Sequence, residues 1–352
     1  AGSNLIAITV TGANGDAGRE YTLNVVRSDP SGAGLSGITL SAGTLSPAFA
    51  EGTTGYTVSV PYAASGLTVT PYAANAGSTV TVNGTGVSSG QASGNIGLTA
   101  GAGTVITIEV TSQDGSNTRS YTLTVNRAAG SSNANLSALT TTGGTLSPTF
   151  NAAVTSYTAA GVANTTTAVT VRPTAADSTA LLTVRVNGGT AVAVTSGQNS
   201  SSLALNVGVN TIEITVTAQD GTEKKYSISV TRAASTVTTL SGLTLSSGAL
   251  SPSFLSSRIA YTSTAASSYS SVTVRPTATH SGATITVAVN GGDPVSVSSG
   301  TDSPALNLNT GANTIQIVVL AQDGSTTRTY TITVTRSASS ASDLTAFSFD
   351  EL

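Results

Sequence analysis

The sequence contains no cysteine, no methionine and no tryptophan, and a single histidine. Without cysteine there are no disulfides, no thiolate metal sites and no thiol nucleophile. Charged residues make up only 8% of the chain and aromatics 4%, with a net charge of −3. No basic run is present that could follow a phosphate backbone, so nucleic acid is not an expected partner. No apolar run approaches the ~18 residues that a membrane-spanning helix needs. What the chain has instead is Gly, Ser, Thr, Ala and Val, with 39% hydrophobic residues. That content suffices for small cores built from β-branched side chains, and the regular alternation argues against disorder.

The alternation is concentrated in a stretch that occurs four times: Asn4–Arg27, Thr104–Arg127, Asn210–Arg232 and Asn313–Arg336. In NTIEITVTAQDGTEKKYSISVTR, Ile212, Ile214 and Val216 oppose Thr211, Glu213 and Thr215. The second arm sets Tyr226, Ile228 and Val230 against Ser227, Ser229 and Thr231. Asp-Gly or Asn-Gly between the arms predicts a β-hairpin with a tight connection through residues that tolerate positive φ. The inward sets Ile6/Ile8/Val10, Ile106/Ile108/Val110, Ile212/Ile214/Val216 and Ile315/Ile317/Val319 should each form one wall of a core.

A second pattern, LSGITLSAGTLSPAF, opens at Leu35 and returns at Leu136 and Leu240, with a shortened form, LTAFSF, at Leu344. The spacing of roughly 100 residues fits one β-sandwich per repeat and is too long for a solenoid unit. Between opening pattern and hairpin come strands beginning at Tyr56, Tyr157 and Tyr261. Strands ending in Pro71, Pro173 and Pro276 follow, where the missing amide is expected to stop pairing. Strands that run into Asn-Gly at Asn83, Asn187 and Asn290 come next, then short strands at Ile96/Leu98, Leu203/Leu205 and Leu306/Leu308. The reading is all-β: tandem immunoglobulin-like, Greek-key sandwiches at 35–127, 136–232 and 240–336. A partial repeat lies at 1–29, and residues 344–352 hold a further first strand. Near-constant linkers predict an elongated rod with a regular twist.

The combination LSxLTLSxGxLSPxF … YTVSV … VTVRPTA … TVxVNGG … NTIxITVTAQDGxxxxYTIxVTR resembles the cadherin-like β-sandwich repeats of bacterial surface proteins, over nearly the whole chain. The resemblance implies stalks and spacers of exported proteins. The sequence has no Asp/Asn run like the calcium-binding linkers of true cadherins, so calcium is not carried over and no cofactor is expected.

Candidate chemistry is sparse. His280 lies between two strands with no catalytic partner and reads as an exposed loop residue. Asp114, Asp220 and Asp323 recur in the hairpin connections, one carboxylate each. That suits turn chemistry better than a cation site, which gathers several oxygens. Glu109 and Glu213 sit in separate repeats and cannot act as a glycosidase pair. Tyr21, Tyr121, Tyr226 and Tyr330 have core parity, which favours packing or a tyrosine corner over sugar stacking. Arg27, Arg127, Arg232 and Arg336 read as caps of a domain end or contacts to the next domain rather than as an anion site. Val318 and Leu320 replace Glu109/Thr111 and Thr215/Thr217 on the outward face, which predicts an exposed apolar contact.

The ends carry the functional expectation. The chain starts with the last two strands of one sandwich and ends with the first strand of another. It is either a segment of a longer array or a subunit whose ends meet copies of itself. A start without Met and the absence of thiols fit a processed, exported chain at the cell surface. The acceptor would be the hairpin face Ile6, Ile8, Val10, Tyr21, Leu23 and Val25. The assembly strand would be Leu344, Phe347 and Phe349, pairing with the hairpin's edge. Two strands plus one leave that end sandwich short of its middle strands. The expected function is non-enzymatic: a structural stalk or filament subunit assembling head to tail. An adhesin binding surface glycan through Tyr62, Tyr72 or Tyr269 is the alternative, as is a spacer of a larger surface enzyme.

Overall fold

The computed structural model describes residues 2–15, 18–27 and 30–339. Among them every regular element is a β-strand. The chain divides into two compact units, Ala1–Ala134 with Thr217–Glu223, and Asn135–Val216 with Lys224–Leu352.

The first unit opens with a hairpin, β1 (Gly2–Val10) and β2 (Arg19–Arg27). One complete sandwich follows, made of β3 (Leu35–Leu40), β4 (Leu45–Ser46), β5 (Gly55–Val60), β6 (Gly66–Leu67) and β7 (Val69–Ala73). It continues through β8 (Thr79–Val82), β9 (Thr85–Gly86), β10 (Ile96–Gly97), β11 (Gly103–Thr111) and β12 (Thr118–Arg127). One layer is a six-stranded sheet in the order β4-β5-β12-β11-β8-β9, and the other consists of the pairs β3-β7 and β6-β10. The β11–β12 hairpin is the centre of the large sheet. Its second arm runs parallel to β5 and its first arm antiparallel to β8. Ile106, Ile108, Val110, Tyr121, Leu123 and Val125 are all fully buried against Leu35, Ile38 and Val69 of the facing layer.

The second unit repeats this plan. The second sandwich has the same six-strand order, and in the third the counterpart of β4 is reduced to a single bridge between Ser251 and Thr262. The inward triplets Ile212/Ile214/Val216 and Ile315/Ile317/Val319 are fully buried as the alternation predicts.

The prolines do not stop pairing. β7 runs through Pro71, which sits opposite Ile38, and Pro173 and Pro276 sit likewise opposite Leu139 and Leu243. The carbonyl of Pro71 accepts the N–H of Gly90 at 2.8 Å, so the main-chain groups of residues 69, 71 and 73 face away from β3. A missing donor there costs the ladder nothing. The neighbouring amides are taken by serine hydroxyls instead of by a strand. Val69 N donates to Ser93 Oγ (3.0 Å) and Ala73 N to Ser89 Oγ (2.9 Å). The same serines recur as Ser200 and Ser196, and as Ser303 and Ser299.

The connections also differ from expectation. In the connections of the three complete sandwiches' long hairpins, Gly115, Gly221 and Gly324 take positive φ. The Asp before each does not, because a turn closed by Gly115 N–H on Ser112 O places Asp114 in ordinary backbone space. The two-residue turns with positive φ at both positions are Asn83-Gly84, Asn187-Gly188 and Asn290-Gly291.

Ser303 is 5% exposed and holds the amide of buried Val274. Ser303→Ala leaves that donor unpaired. Urea unfolding should show the third sandwich destabilised by about 1–3 kcal/mol, whereas alanine at exposed Ser298 should change little.

Candidate functional site

Each hairpin is tied to the start of its own sandwich by its tyrosine. The Tyr121 hydroxyl accepts the amide of Leu35 at 3.0 Å, Tyr226 that of Leu136 at 3.2 Å and Tyr330 that of Leu240 at 3.0 Å. Tyr226 and Tyr330 pass their own protons to Ala152 O and Ser256 O. The tyrosine-corner geometry belongs to a different set. Tyr56, Tyr157 and Tyr261 each donate to carbonyls three and six residues upstream, as Tyr56 does to Thr53 and Ala50.

The closing arginines cap the sandwiches through carbonyls. Arg127 donates to Tyr62 O and Leu98 O, and Arg232 to Asn164 O and Leu205 O. Arg336 reaches Ser267 O and Leu308 O, but its buried Nε has no partner. Tyr62, Asn164 and Ser267 occupy the same place in the three sandwiches. Tyr62 lies beneath the Arg127 guanidinium, 4.8 Å from carbon to ring centre, and is not a free sugar platform.

The hairpin connections grip the incoming linker. Asp114 N donates to Pro30 O, Asp220 N to Ser131 O and Asp323 N to Ser235 O, at 3.1–3.3 Å. Gln219 and Gln322 complete the contact by accepting the amides of Ser131 and Ser235 at 3.1 Å. Pro30 has no amide to offer, and Gln113 makes no such bond. Asn164 Nδ2 also reaches Gln322 Oε1 (3.0 Å) and Ala233 O (3.1 Å). A bonded path thus runs from Arg232 through Asn164 and Gln322 to the linker at Ser235. A Cβ at Gly130 would lie 3.0 Å from the Tyr62 ring and 3.1 Å from the Asp220 backbone, so a larger residue there would push these neighbours back by a few tenths of an ångström.

The aspartates of these turns work on the turn itself. Asp114 is held below the usual carboxylate range by the Ser112 hydroxyl, then by Ser116. Thr222 does the same for Asp220, chiefly through its backbone amide. Asp323 is pushed down to about 2 by the Thr326 hydroxyl and the Ser325 and Thr326 amides. Among the described residues no group of three or more His, Cys, Asp or Glu could hold a metal ion.

Other sequence candidates take quieter places. His280 is half-buried rather than open, and its Nδ1 accepts the Gly282 amide at 3.1 Å. Its counterpart Asp177 accepts from Thr179 in the same way. Glu213 pairs with Arg185 at 2.8 Å and Lys225 at 3.7 Å, and the Arg185 hydrogen bond lowers its pKa. Val318 and Leu320 are half-buried, not an open patch. They lie on a central strand, flanked by Thr286 and Thr329, and by Thr284 and Thr327.

The N-terminal hairpin is the exception. Ile6, Ile8, Val10, Tyr21, Leu23 and Val25 are 41–55% exposed, although β1 and β2 keep the register of β11 and β12, with Ile6 opposite Leu23 and Ile8 opposite Tyr21. Leu344, Phe347 and Phe349 lie outside the described residues. In the complete sandwiches the opening strands, Leu35–Leu40, Leu136–Thr141 and Leu240–Leu245, pair with the proline strand and meet the hairpin only across the core.

The family model for the cadherin-like beta sandwich domain matches residues 35–128, 136–233 and 237–337. The chain belongs to the cadherin-like β-sandwich family. A provisionally named membrane protein of Evansella cellulosilytica is 37% identical to this cadherin-like chain over 102 residues, 29% of this chain. The match spans 14% of that relative's length. Solved structures with similarity include Protocadherin Gamma B2 extracellular cadherin domains 3-6, at 11% identity and TM-score 0.32, covering 96% of this chain and 84% of that one. Mouse Protocadherin-24 EC1-3 gives 14% identity and TM-score 0.27, covering 83% of this chain and 99% of that one. The assignment rests on the family model. No helix among the described residues is long and apolar enough to cross a membrane.

Sequence reasoning missed the linker grip. Its signal was available, because Gln precedes Asp-Gly in all three complete repeats and Ser131, Ser235 and Ser339 stand five residues before the next opening leucine. Gln322→Ala should speed amide exchange at Ser235 about tenfold or more, with the third sandwich's urea midpoint nearly unchanged. The Asp323 carboxyl, followed by NMR, should titrate near 2 rather than 3.8. Its folded pKa is depressed, so its contribution is present above about 3.8 and is lost as pH falls through about 2.

Proposed function

We propose that this chain is a non-enzymatic, extracellular structural protein whose tandem sandwiches form the body of a cell-surface stalk or filament, joined end to end. Cadherin-like domains are typically extracellular. The observation that carries the reading is the grip on each linker. Pro30, Ser131 and Ser235 are each bound through the carbonyl to the hairpin connection of the sandwich that follows. A chain whose linkers merely tether domains has no need of such bonds, whereas one that holds neighbours in a set orientation does. The repeated polar residues are used in the same structural sense. Tyrosines hold opening strands, arginines hold loop carbonyls and aspartates hold turns.

The partner in this reading is a further copy or a further repeat. The N-terminal hairpin acts as acceptor, and residues 344–352 form part of the contact. Electron microscopy of the purified protein tests it. Strings longer than one molecule that shorten on deletion of 343–352 are expected. Single molecules at every concentration and salt condition would remove end-to-end joining from the account.

A further inference from the structure

Each complete sandwich carries an Asn-Gly turn with positive φ at both residues: Asn83-Gly84, Asn187-Gly188 and Asn290-Gly291. Such a pair is open to attack by its own main chain, because glycine has no Cβ to shield its nitrogen. The asparagine φ angles are 49°, 50° and 49°, and all three residues are exposed, so backbone and solvent access match. What differs is how each carboxamide is held.

At Asn187 both ends are bonded. Its Oδ1 accepts the Thr211 amide at 2.9 Å, and its Nδ2 donates to Asn210 Oδ1 at 2.8 Å. Asn290 repeats this with Thr314 and Asn313, both at 2.9 Å. Asn210 and Asn313 are buried and fixed in orientation. Asn210 Nδ2 donates to Asn206 O and Gly208 O, and Asn313 Nδ2 to Asn309 O and Gly311 O. Asn83 keeps only the first bond, from the Thr107 amide at 3.0 Å, and its Nδ2 has no partner among the described residues.

Strand length is the cause. β8 has four residues, whereas Leu181–Val186 and Thr284–Val289 have six. Thr104 takes the register place of Asn313, since it faces Val125 as Asn313 faces Val334. The later turns meet the hairpin arm immediately after Asn210 and Asn313, but the Asn83 turn meets it further on, at Thr107. Beside Asn83 lies a cavity of about 160 Å³ lined by Val82, Thr85, Val87, Ser93, Asn95 and Ile96, which leaves its carboxamide room to turn.

We infer that Asn83 is a site of spontaneous modification, where the first sandwich converts its own asparagine to aspartate and isoaspartate. The Gly84 nitrogen attacks Asn83 Cγ. An N–C bond forms, the bond to Nδ2 breaks, and the Gly84 amide proton, relayed by water, leaves with that nitrogen as ammonia. Water then opens the cyclic imide, giving aspartate by addition at Cγ and isoaspartate by addition at the main-chain carbonyl. Attack requires the turn to open locally, and at Asn187 and Asn290 opening also breaks a bond to a buried asparagine. Isoaspartate lengthens the turn by one backbone carbon and removes the acceptor of the Thr107 amide.

The full chain is incubated at mildly alkaline pH, folded or in urea, and peptide mapping by mass spectrometry follows the NH2-to-OH change at each turn. In the folded chain Asn83 should convert about threefold to tenfold faster than Asn187 and Asn290, the effect of one hydrogen bond. In urea the three rates should converge. Asn210→Thr, which supplies the residue the first sandwich has at that place, should raise the rate at Asn187 and leave Asn290 unchanged. Equal rates in the folded chain, a lead at Asn83 that persists in urea, or a folded Asn210→Thr chain with Asn187 unchanged would overturn the inference. The unaltered chain decides by itself where that variant does not fold.

Discussion

Everything in this molecule depends on covering one face of a two-stranded hairpin. A pair of strands cannot bury its own apolar side, and each inward side chain contributes roughly 1.5–3 kcal/mol only when something lies over it. In the three complete sandwiches the cover comes from chain that precedes the hairpin, folded back so that its opening leucine meets the tyrosine at the heart of the second arm. The sandwich is thereby closed by its last element. The arginine ending that element then ties down the loops at the exit, as Arg127 and Arg232 do through two carbonyls each.

The same hairpin serves the junction. Its connection lies at the opposite end from its closing arginine, and there it receives the linker that leads into the sandwich. Main-chain bonds to Pro30, Ser131 and Ser235 depend little on side-chain identity, which suits linkers whose residues differ from copy to copy. Gln219 and Gln322 add the second bond wherever the linker offers an amide. The acidic residues hold the turn's shape and leave its backbone amide pointing outward to the linker. Such a junction is built from neutral hydrogen bonds, which salt screens far less than exposed charge pairs.

Much of this was legible in the sequence. The period of two in Ile212, Ile214 and Val216 gave burial directly, because a strand with one covered face has no other way to place three β-branched residues. The tyrosines' core parity and the arginines' capping role followed from their fixed positions in each copy. The proline strands were misread because a missing donor harms a ladder only where the donor would point into it, and the sequence does not show which way Pro71 faces. Val318 and Leu320 looked like a patch because parity was taken for exposure, while a central strand's outer face is partly shaded by threonines on both sides. The serine hydroxyls at Ser93, Ser200 and Ser303, and the reach of Asn164 to Gln322, are contacts between distant segments. In a chain this rich in Ser, Thr and Asn, single polar residues carry little signal.

Native-state amide exchange on the dilute chain tests the central claim most directly, since it compares two hairpins with the same six inward residues in one molecule. The account predicts that Ile106, Ile108 and Val110 exchange only through opening of the whole sandwich. Ile6, Ile8 and Val10, uncovered, should exchange orders of magnitude faster. Equal protection of the two sets in the dilute chain would show that the hairpin is stable by itself, and would contradict the claim that its cover is what the fold is built to supply.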